Sequence, residues 1–308
     1  MRGRRRVDVA MLLLVVVWGV NFPIIKVAFG ELPPFVFNGL RFAVAAACLV
    51  GISRWRDGPW RIEPGDVPGL ALLGLIGHAG YQSLFIAGLA RTTASHSSII
   101  LSLVPLFVGV LGVALGIERP SLRMWAGLLL AFAGVVVLVR SRTGLGGDGA
   151  TLAGDLITLA GALCWAAYTV LSRPWLARYS ALRLTTVTLS FGLPVILASA
   201  ADGLVRIDWR AVSPQAWGAL AFSSLFAVVV SYVIWYSSVQ AVGSARTAAF
   251  SNLIPIVALL SAWVMLREPM GVPQIAGTAV VLFGVWLARS GRPLGQPRRV
   301  RSAAEAVR

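Results

Sequence analysis

One segment of this chain occurs twice. Residues 94–118 read ASHSSIILSLVPLFVGVLGVALGIE, and residues 244–268 read SARTAAFSNLIPIVALLSAWVMLRE. With a shift of 150, Pro105 aligns with Pro255 and Glu118 with Glu268. The register continues without a gap through Gly127 and Gly277, Gly134 and Gly284, Val135 and Val285. Few positions are identical, but proline and glycine are the residues that backbone geometry constrains most. A repeat of this length makes the chain a duplicated unit, and the repeated unit is an apolar helix too long for a soluble core.

Composition decides where such a chain can live. It is 57% hydrophobic and 13% charged, with mean hydropathy +0.81. A soluble domain carries about 25% charged residues. Apolar runs of ~20 residues match the ~30 Å of hydrocarbon that a helix must cross. The chain is therefore read as an all-α polytopic membrane protein. Ten spans can be drawn, at about 9–29, 34–53, 67–90, 94–117, 121–139, 152–173, 181–200, 214–238, 245–266 and 272–289. The N-terminal MRGRRR and the run after it have the look of a signal peptide, but no small-residue cleavage site precedes Ala28. The expectation is an uncleaved first span.

The formal net charge of +15 raises the question of nucleic acid. The arginines, however, sit in short connections between apolar runs, the bias that orients membrane helices. With the N-terminus in the cytoplasm, nineteen arginines fall on that side and six on the other. Both termini are placed inside, and no nucleic-acid partner is expected. Five spans per repeat is an odd number, so the second copy enters the membrane from the opposite side. Two inverted five-helix repeats frame a midplane site that rocking exposes to each side in turn. The units run 9–140 and 152–290, with a glycine-rich loop at 141–151 and a basic, disordered cytoplasmic tail at 291–308.

The first spans of the halves align at a shift of 147: Trp18 with Trp165, Asn21 with Tyr168, Lys26 with Arg173. WGVNFPIIK (18–26), LRF (40–42), ASHSSIILSLVPLF (94–107), LGIERPSLRMWAGLLLAFAGVVVL (115–138) and GDLITLAGALCWAAYTVLSR (154–173) follow in order. Together they resemble the drug/metabolite transporter superfamily, in particular its EamA-type ten-span exporters. That resemblance implies two inverted five-helix repeats around a central cavity. It also implies export of small metabolites, amino acids or toxic compounds from the inner or plasma membrane. Two departures stand out: Arg41 has Thr188 as its counterpart, and Glu118 follows Ile117 where the family more often has glycine.

Arg41 is the sharpest single candidate. It lies ~9 Å along the second span from Phe35, where insertion of a charge costs at least ~2.5–3.5 kcal/mol. It is expected to face the bundle and to meet a partner, either helix-end carbonyls or an anionic group of the substrate. Lys26, near the outer end of span one, reads as a snorkelling anchor or a cavity residue. Trp18, Asn21, Tyr81, Gln82, Trp165, Tyr168, Tyr232 and Tyr236 are polar or aromatic handles for a mostly apolar substrate cavity; packing is the plainer role for any one of them. Ser102 and Asn252 lie three residues before Pro105 and Pro255, where a mid-span bond is lost; they either satisfy the kink or touch substrate. Glu118 and Glu268 end their spans and read as hinges capping the helix that follows.

Other chemistries find little support. Cys48 and Cys164 lie in apolar runs with no ligand spacing, and His78 and His96 have no sequence-adjacent carboxylate pair, so no metal is expected. There is no HExxH, GxSxG or GxxxxGK[ST], so no catalytic residue, cofactor or ATP site is assigned. The alternatives to a transporter are a lipid or headgroup flippase and a non-transporting scaffold. Expected partners are a small-molecule substrate and the lipid bilayer. A homodimer through the face carrying Gly127 and Gly134 is left open.

Overall fold

The structure, a computed structural model, describes residues 2–116, 121–140, 152–242, 250–268 and 270–290. Every regular element among them is helical. Seven helical stretches are long and apolar enough to cross a membrane: 7–28, 34–57, 64–91, 94–114, 152–171, 181–206 and 214–235. Three shorter apolar helices, 122–138, 251–266 and 272–288, accompany them. The chain is a multi-pass membrane protein.

In the first half, α1 spans Arg2–Ala28 and α2 Pro34–Asp57. The next stretch is built from α3 (Val67–Gly74), a π-helical turn (Leu75–Gly80) and α4 (Tyr81–Arg91). α5 (Ala94–Leu101), α6 (Val104–Ala114) and α7 (Leu122–Arg140) complete it. The second half begins with α8 (Leu152–Leu171), the single turn α9 (Arg173–Leu176) and α10 (Ala181–Arg206). Then come α11 (Pro214–Ala221), a second π-helical turn (Phe222–Val230) and α12 (Ser231–Val242). A 3-10 turn (Ser251–Leu253) leads into α13 (Ile254–Leu266), and α14 (Val272–Ser290) ends the described chain. A π turn holds one more residue than an α turn. Both halves carry theirs in the third apolar stretch.

The prolines act differently from a simple mid-span kink. Pro105 lies in the first turn of α6, after α5 has stopped at Leu101, and Pro255 in the first turn of α13, after the 3-10 turn. A proline there loses no helical bond, because the first-turn N–H groups are orphaned anyway. The span drawn whole at 94–117 is thus an interrupted helix, and within the described part of 245–266 a 3-10 turn precedes α13. Ser102 donates its hydroxyl to the Ile99 carbonyl (2.6 Å), closing the end of α5. Pro23, by contrast, rides inside a continuous α1.

Glycine sets the close approaches between helices. α7 and α14 cross backbone to backbone at two points. A Cβ on Gly127 would lie 2.4 Å from the Gly284 carbonyl oxygen, and one on Gly134 would lie 2.9 Å from that of Gly277. The glycine face left open for a second copy of the chain is covered by α14 of the same chain. Ala131, Leu138, Val281 and Val285 fill the core beside the crossing. α2 packs along α10, and α8 fits between α4 and α6.

Candidate functional site

Arg41 occupies the second turn of α2 and is 2% exposed. Its Nη2 donates to Asn38 Oδ1 (3.0 Å) and Gln82 Oε1 (2.8 Å), and its Nη1 to Ser223 Oγ (3.3 Å). The guanidinium lies 4.7 Å from the Phe42 ring centroid, with the Phe37 and Phe85 rings at 6.0 Å. Asn38 sits one turn before Arg41 on the same face, Gln82 comes from α4, and Ser223 comes from the second π turn. Three neutral oxygens and an aromatic face therefore hold a fully desolvated cation.

Its counterpart Thr188 is placed in the mirrored way. His78, in the first π turn, has Nε2 3.1 Å from Thr188 Oγ1, and the Tyr168 hydroxyl is 3.2 Å from the same oxygen. So residue 41 reaches the π turn of the second half, and residue 188 reaches that of the first. Between these two contacts runs an aromatic wall. Tyr81 lies 5.0 Å from Trp165, Trp165 5.1 Å from Tyr168, and His78 5.3 Å from Tyr168, centroid to centroid. Across the bundle, Trp18 lies 5.6 Å from Trp235 and donates Nε1–H to the Ala227 carbonyl (2.8 Å) in the second π turn. Tyr232 is buried in the cluster holding Phe42 and Ala79. Four polar atoms of this region are buried without a partner: Arg41 Nε, Asn38 Nδ2, His78 Nδ1 and Asn21 Oδ1. Buried polar atoms are normally satisfied, and each exception costs about 1–3 kcal/mol.

A second polar group joins the two halves at one end of the bundle. Glu268 accepts from the backbone N–H of Ala94 (2.7 Å) and Ser95 (3.0 Å) and from the Ser95 hydroxyl (2.6 Å). Lys26 Nζ donates to the Thr92 carbonyl (2.5 Å). The Thr92 hydroxyl donates to Asp155, whose other oxygen lies 3.4 Å from His96 Nδ1. The expectation that Glu268 caps the helix after it is corrected here. It caps α5, in the other half, while Gln274 accepts from Gly271 N–H ahead of α14. Lys26 is likewise neither a free anchor nor part of the Arg41 group.

Two contacts between the halves sit at opposite ends of α2. Glu31, before α2, accepts from Ser213 N–H (2.6 Å) and Oγ–H (2.7 Å), which hold its carboxyl below the usual carboxylate range. Beyond the other end of α2, Arg178 pairs with Glu63 (2.5 Å) and Asp66 (2.6 Å), which hold it protonated above its ordinary range. The Tyr179 hydroxyl donates to Asp66 (2.5 Å), and that bond raises the phenol.

The structure thus brings Arg41, Gln82, Tyr81, Trp165, Tyr168 and Tyr232 into one region, with Trp18 and the orphaned Asn21 nearby. Ser102 and Lys26 serve elsewhere. Asn252 is half-buried on the 3-10 turn before Pro255. Glu118 and the side chain of Tyr236 lie outside what is described. Asn38 escaped the sequence reading, although its spacing from Arg41 marks a shared helical face. Ser223, Asp155 and Thr92 had no sequence signal, since each acts across more than 60 residues. Cys48 and Cys164 are both free thiols.

The model of the EamA-like transporter family matches twice, at 5–140 and at 152–290. The chain belongs to that family. A relative from Bacillus subtilis (strain 168), named "Uncharacterized transporter YyaM", is 27% identical over 88% of this chain and 89% of its own length. A "Probable amino-acid metabolite efflux pump" of Salmonella typhimurium is 30% identical, covering 94% of this chain and 96% of the relative. Its namesake in Escherichia coli (strain K12) is 29% identical over 92% and 94%. A solved structure 21% identical superposes with a TM-score of 0.65 over 92% of this chain and 96% of that one, and shares the fold.

Proposed function

We propose that this EamA-like protein is a secondary transporter of the cell membrane that exports small metabolites by alternating access. Ten spans form two inverted five-helix units, 9–140 and 152–290, joined by 141–151, with both termini and the 291–308 tail in the cytoplasm. The reading rests on one observation above all. The buried polar group at Arg41 draws its partners from both halves, so their relative motion makes and breaks it. A site at the interface of inverted repeats is the geometry that alternating access requires.

The end contacts support the inversion. A shift of 147 carries Glu31 onto Arg178, and a shift of 150 carries Glu63 onto Ser213. The Glu31–Ser213 and Glu63–Arg178 contacts are therefore one contact used twice, on opposite faces. The end that holds Glu268, Lys26 and Asp155 is the outer face when the N-terminus is cytoplasmic. The names of the Salmonella and Escherichia relatives make amino-acid metabolites the first solutes to try.

The test is counterflow in proteoliposomes loaded with unlabelled amino acids and their derivatives. Time-dependent accumulation of label, absent from empty liposomes, is the expected result. No flux of any solute from protein that is folded by circular dichroism would overturn the reading.

A further inference from the structure

Resting on the transport reading, we infer that the solute this protein carries is recognised by a carboxylate, which docks on Arg41 and Asn38 and supplies the counter-ion that the chain itself lacks.

The chemistry of the site points to an acceptor. Arg41 Nε–H and Asn38 Nδ2–H are both buried donors without an acceptor, and the two side chains are bonded to each other at 3.0 Å. Two neighbouring N–H groups, one on a cation, form the pattern that a carboxylate satisfies with its two oxygens. An apolar or cationic solute would leave both donors empty. The rest of the guanidinium is held by neutral oxygens and aromatic rings.

The charge balance points the same way. Among the described residues, no carboxylate stands within ion-pairing distance of Arg41. The sequence agrees over its whole length. Asp8, Asp57, Asp66, Asp155 and Asp202 lie near the ends of apolar stretches, and the remaining acids lie in connections or the tail. The middle of the bundle thus holds one fixed positive charge and no negative one. A buried charge persists where it is paired. Here the partner has to arrive from outside.

The group around Thr188, at the other end of the aromatic wall, sets what accompanies the carboxylate. The Thr188 hydroxyl donates to the Leu184 carbonyl (2.9 Å), so its oxygen accepts from His78, and the hydrogen-bond network assigns the N–H to Nε2. His78 Nδ1 and Asn21 Oδ1 are then unpaired acceptors. Both are neutral, so they take a hydroxyl as readily as an ammonium. The aromatic wall of Tyr81, Trp165 and Tyr168 accommodates an apolar or aromatic body. The class is 2-hydroxy and 2-amino carboxylic acids, with the carboxylate essential and the second group interchangeable. Carried alone, an anion is driven outward by an inside-negative potential, about fifty-fold per 100 mV.

Three solutes with one ring test this on the wild-type protein: 3-phenyllactate, phenylalanine and phenylalaninamide. The expected result at pH 7.5 is binding and counterflow of phenyllactate at least equal to phenylalanine, with the amide about tenfold or more weaker. Arg41→Gln should remove the preference for the acids over the amide, and Arg41→Lys should restore part of it. A potential imposed with valinomycin, negative inside, should accelerate phenyllactate exit. If the amide binds within about threefold of the acids, or phenylalanine binds tenfold more tightly than phenyllactate, the class assignment is overturned while transport stands. If nothing moves at all, including the amino-acid mixtures, the transport reading fails instead.

Discussion

Glu268 and Ser95, 173 residues apart in the chain, share two hydrogen bonds. The carboxylate takes the backbone N–H and hydroxyl of Ser95 at 3.0 and 2.6 Å, and the N–H of Ala94 at 2.7 Å. An acidic side chain from the second half thereby does for α5 what an N-cap residue does within a helix, and joins two halves that the chain connects only distantly.

Removing that carboxylate should loosen this end of the bundle. Glu268→Ala leaves two N–H groups uncapped and is expected to cost about 0.5–2 kcal/mol. The thermal unfolding midpoint of the purified protein should fall. A cysteine introduced at Ser97, fully buried in the structure, should become more reactive toward an impermeant thiol reagent. Unchanged labelling would show that Glu268 does not hold this end shut.

Asn38→Asp makes the opposite kind of change. It places a carboxylate 3.0 Å from the Arg41 guanidinium, where the amide oxygen now lies. The site then carries its own counter-ion. The folded yield should hold or rise, while counterflow of carboxylates falls at least tenfold. Retained flux would mean that solutes do not depend on the free charge of Arg41.

Gly134→Val tests the crossing of α7 and α14. The new Cβ would meet the Val281 side chain at 2.7 Å and its backbone nitrogen at 2.8 Å. Backbone cannot move aside as a side-chain tip can, so the two helices must separate. A loss of about 1–3 kcal/mol is expected, read as lower folded yield and a lower unfolding midpoint. Gly218→Val, with nothing within 4 Å of its Cβ, is the control.

The Glu31–Ser213 contact should respond to acid. Hydrogen bonds from the Ser213 hydroxyl and then from its N–H depress the folded pKa below the 4.5 of a free glutamate. A depressed carboxylate contributes its stability above the unfolded pKa and loses it as pH falls through the folded one. The difference in unfolding midpoint between wild type and Glu31→Gln should therefore be full at neutral pH and vanish in acid. A difference independent of pH would assign the effect to packing.

Much of this could be read from residue type and spacing. Apolar length, the 150-residue shift and the position of Arg41 inside a span are local features, and each carries its meaning in the chain itself. Pro105 showed that the helix is disturbed but not how, because a proline marks a kink and a helix start equally well. Gly127 and Gly134 showed that something approaches closely. That the neighbour is α14 became visible only when the helices were packed. The partners of Arg41 divide along the same line. Gln82 stood out as a polar residue in an apolar run. Ser223 did not, since serine is unremarkable in any helix until a guanidinium from 182 residues away points at it. Glu268 was seen to cap a helix and was given the wrong one, because sequence proximity suggested α14 and the fold supplied α5.

The α7–α14 crossing also bears on how such a molecule can be rearranged. At Gly127 and Gly284 the two main chains rest on each other with no flexible atoms between them. Gly74 and Gly192 make a second contact of this kind between the halves, where a Cβ on Gly192 would lie 2.6 Å from the Gly74 carbonyl oxygen. Any tilting of one half against the other has to pivot on these main-chain contacts. Distances measured across them should change least.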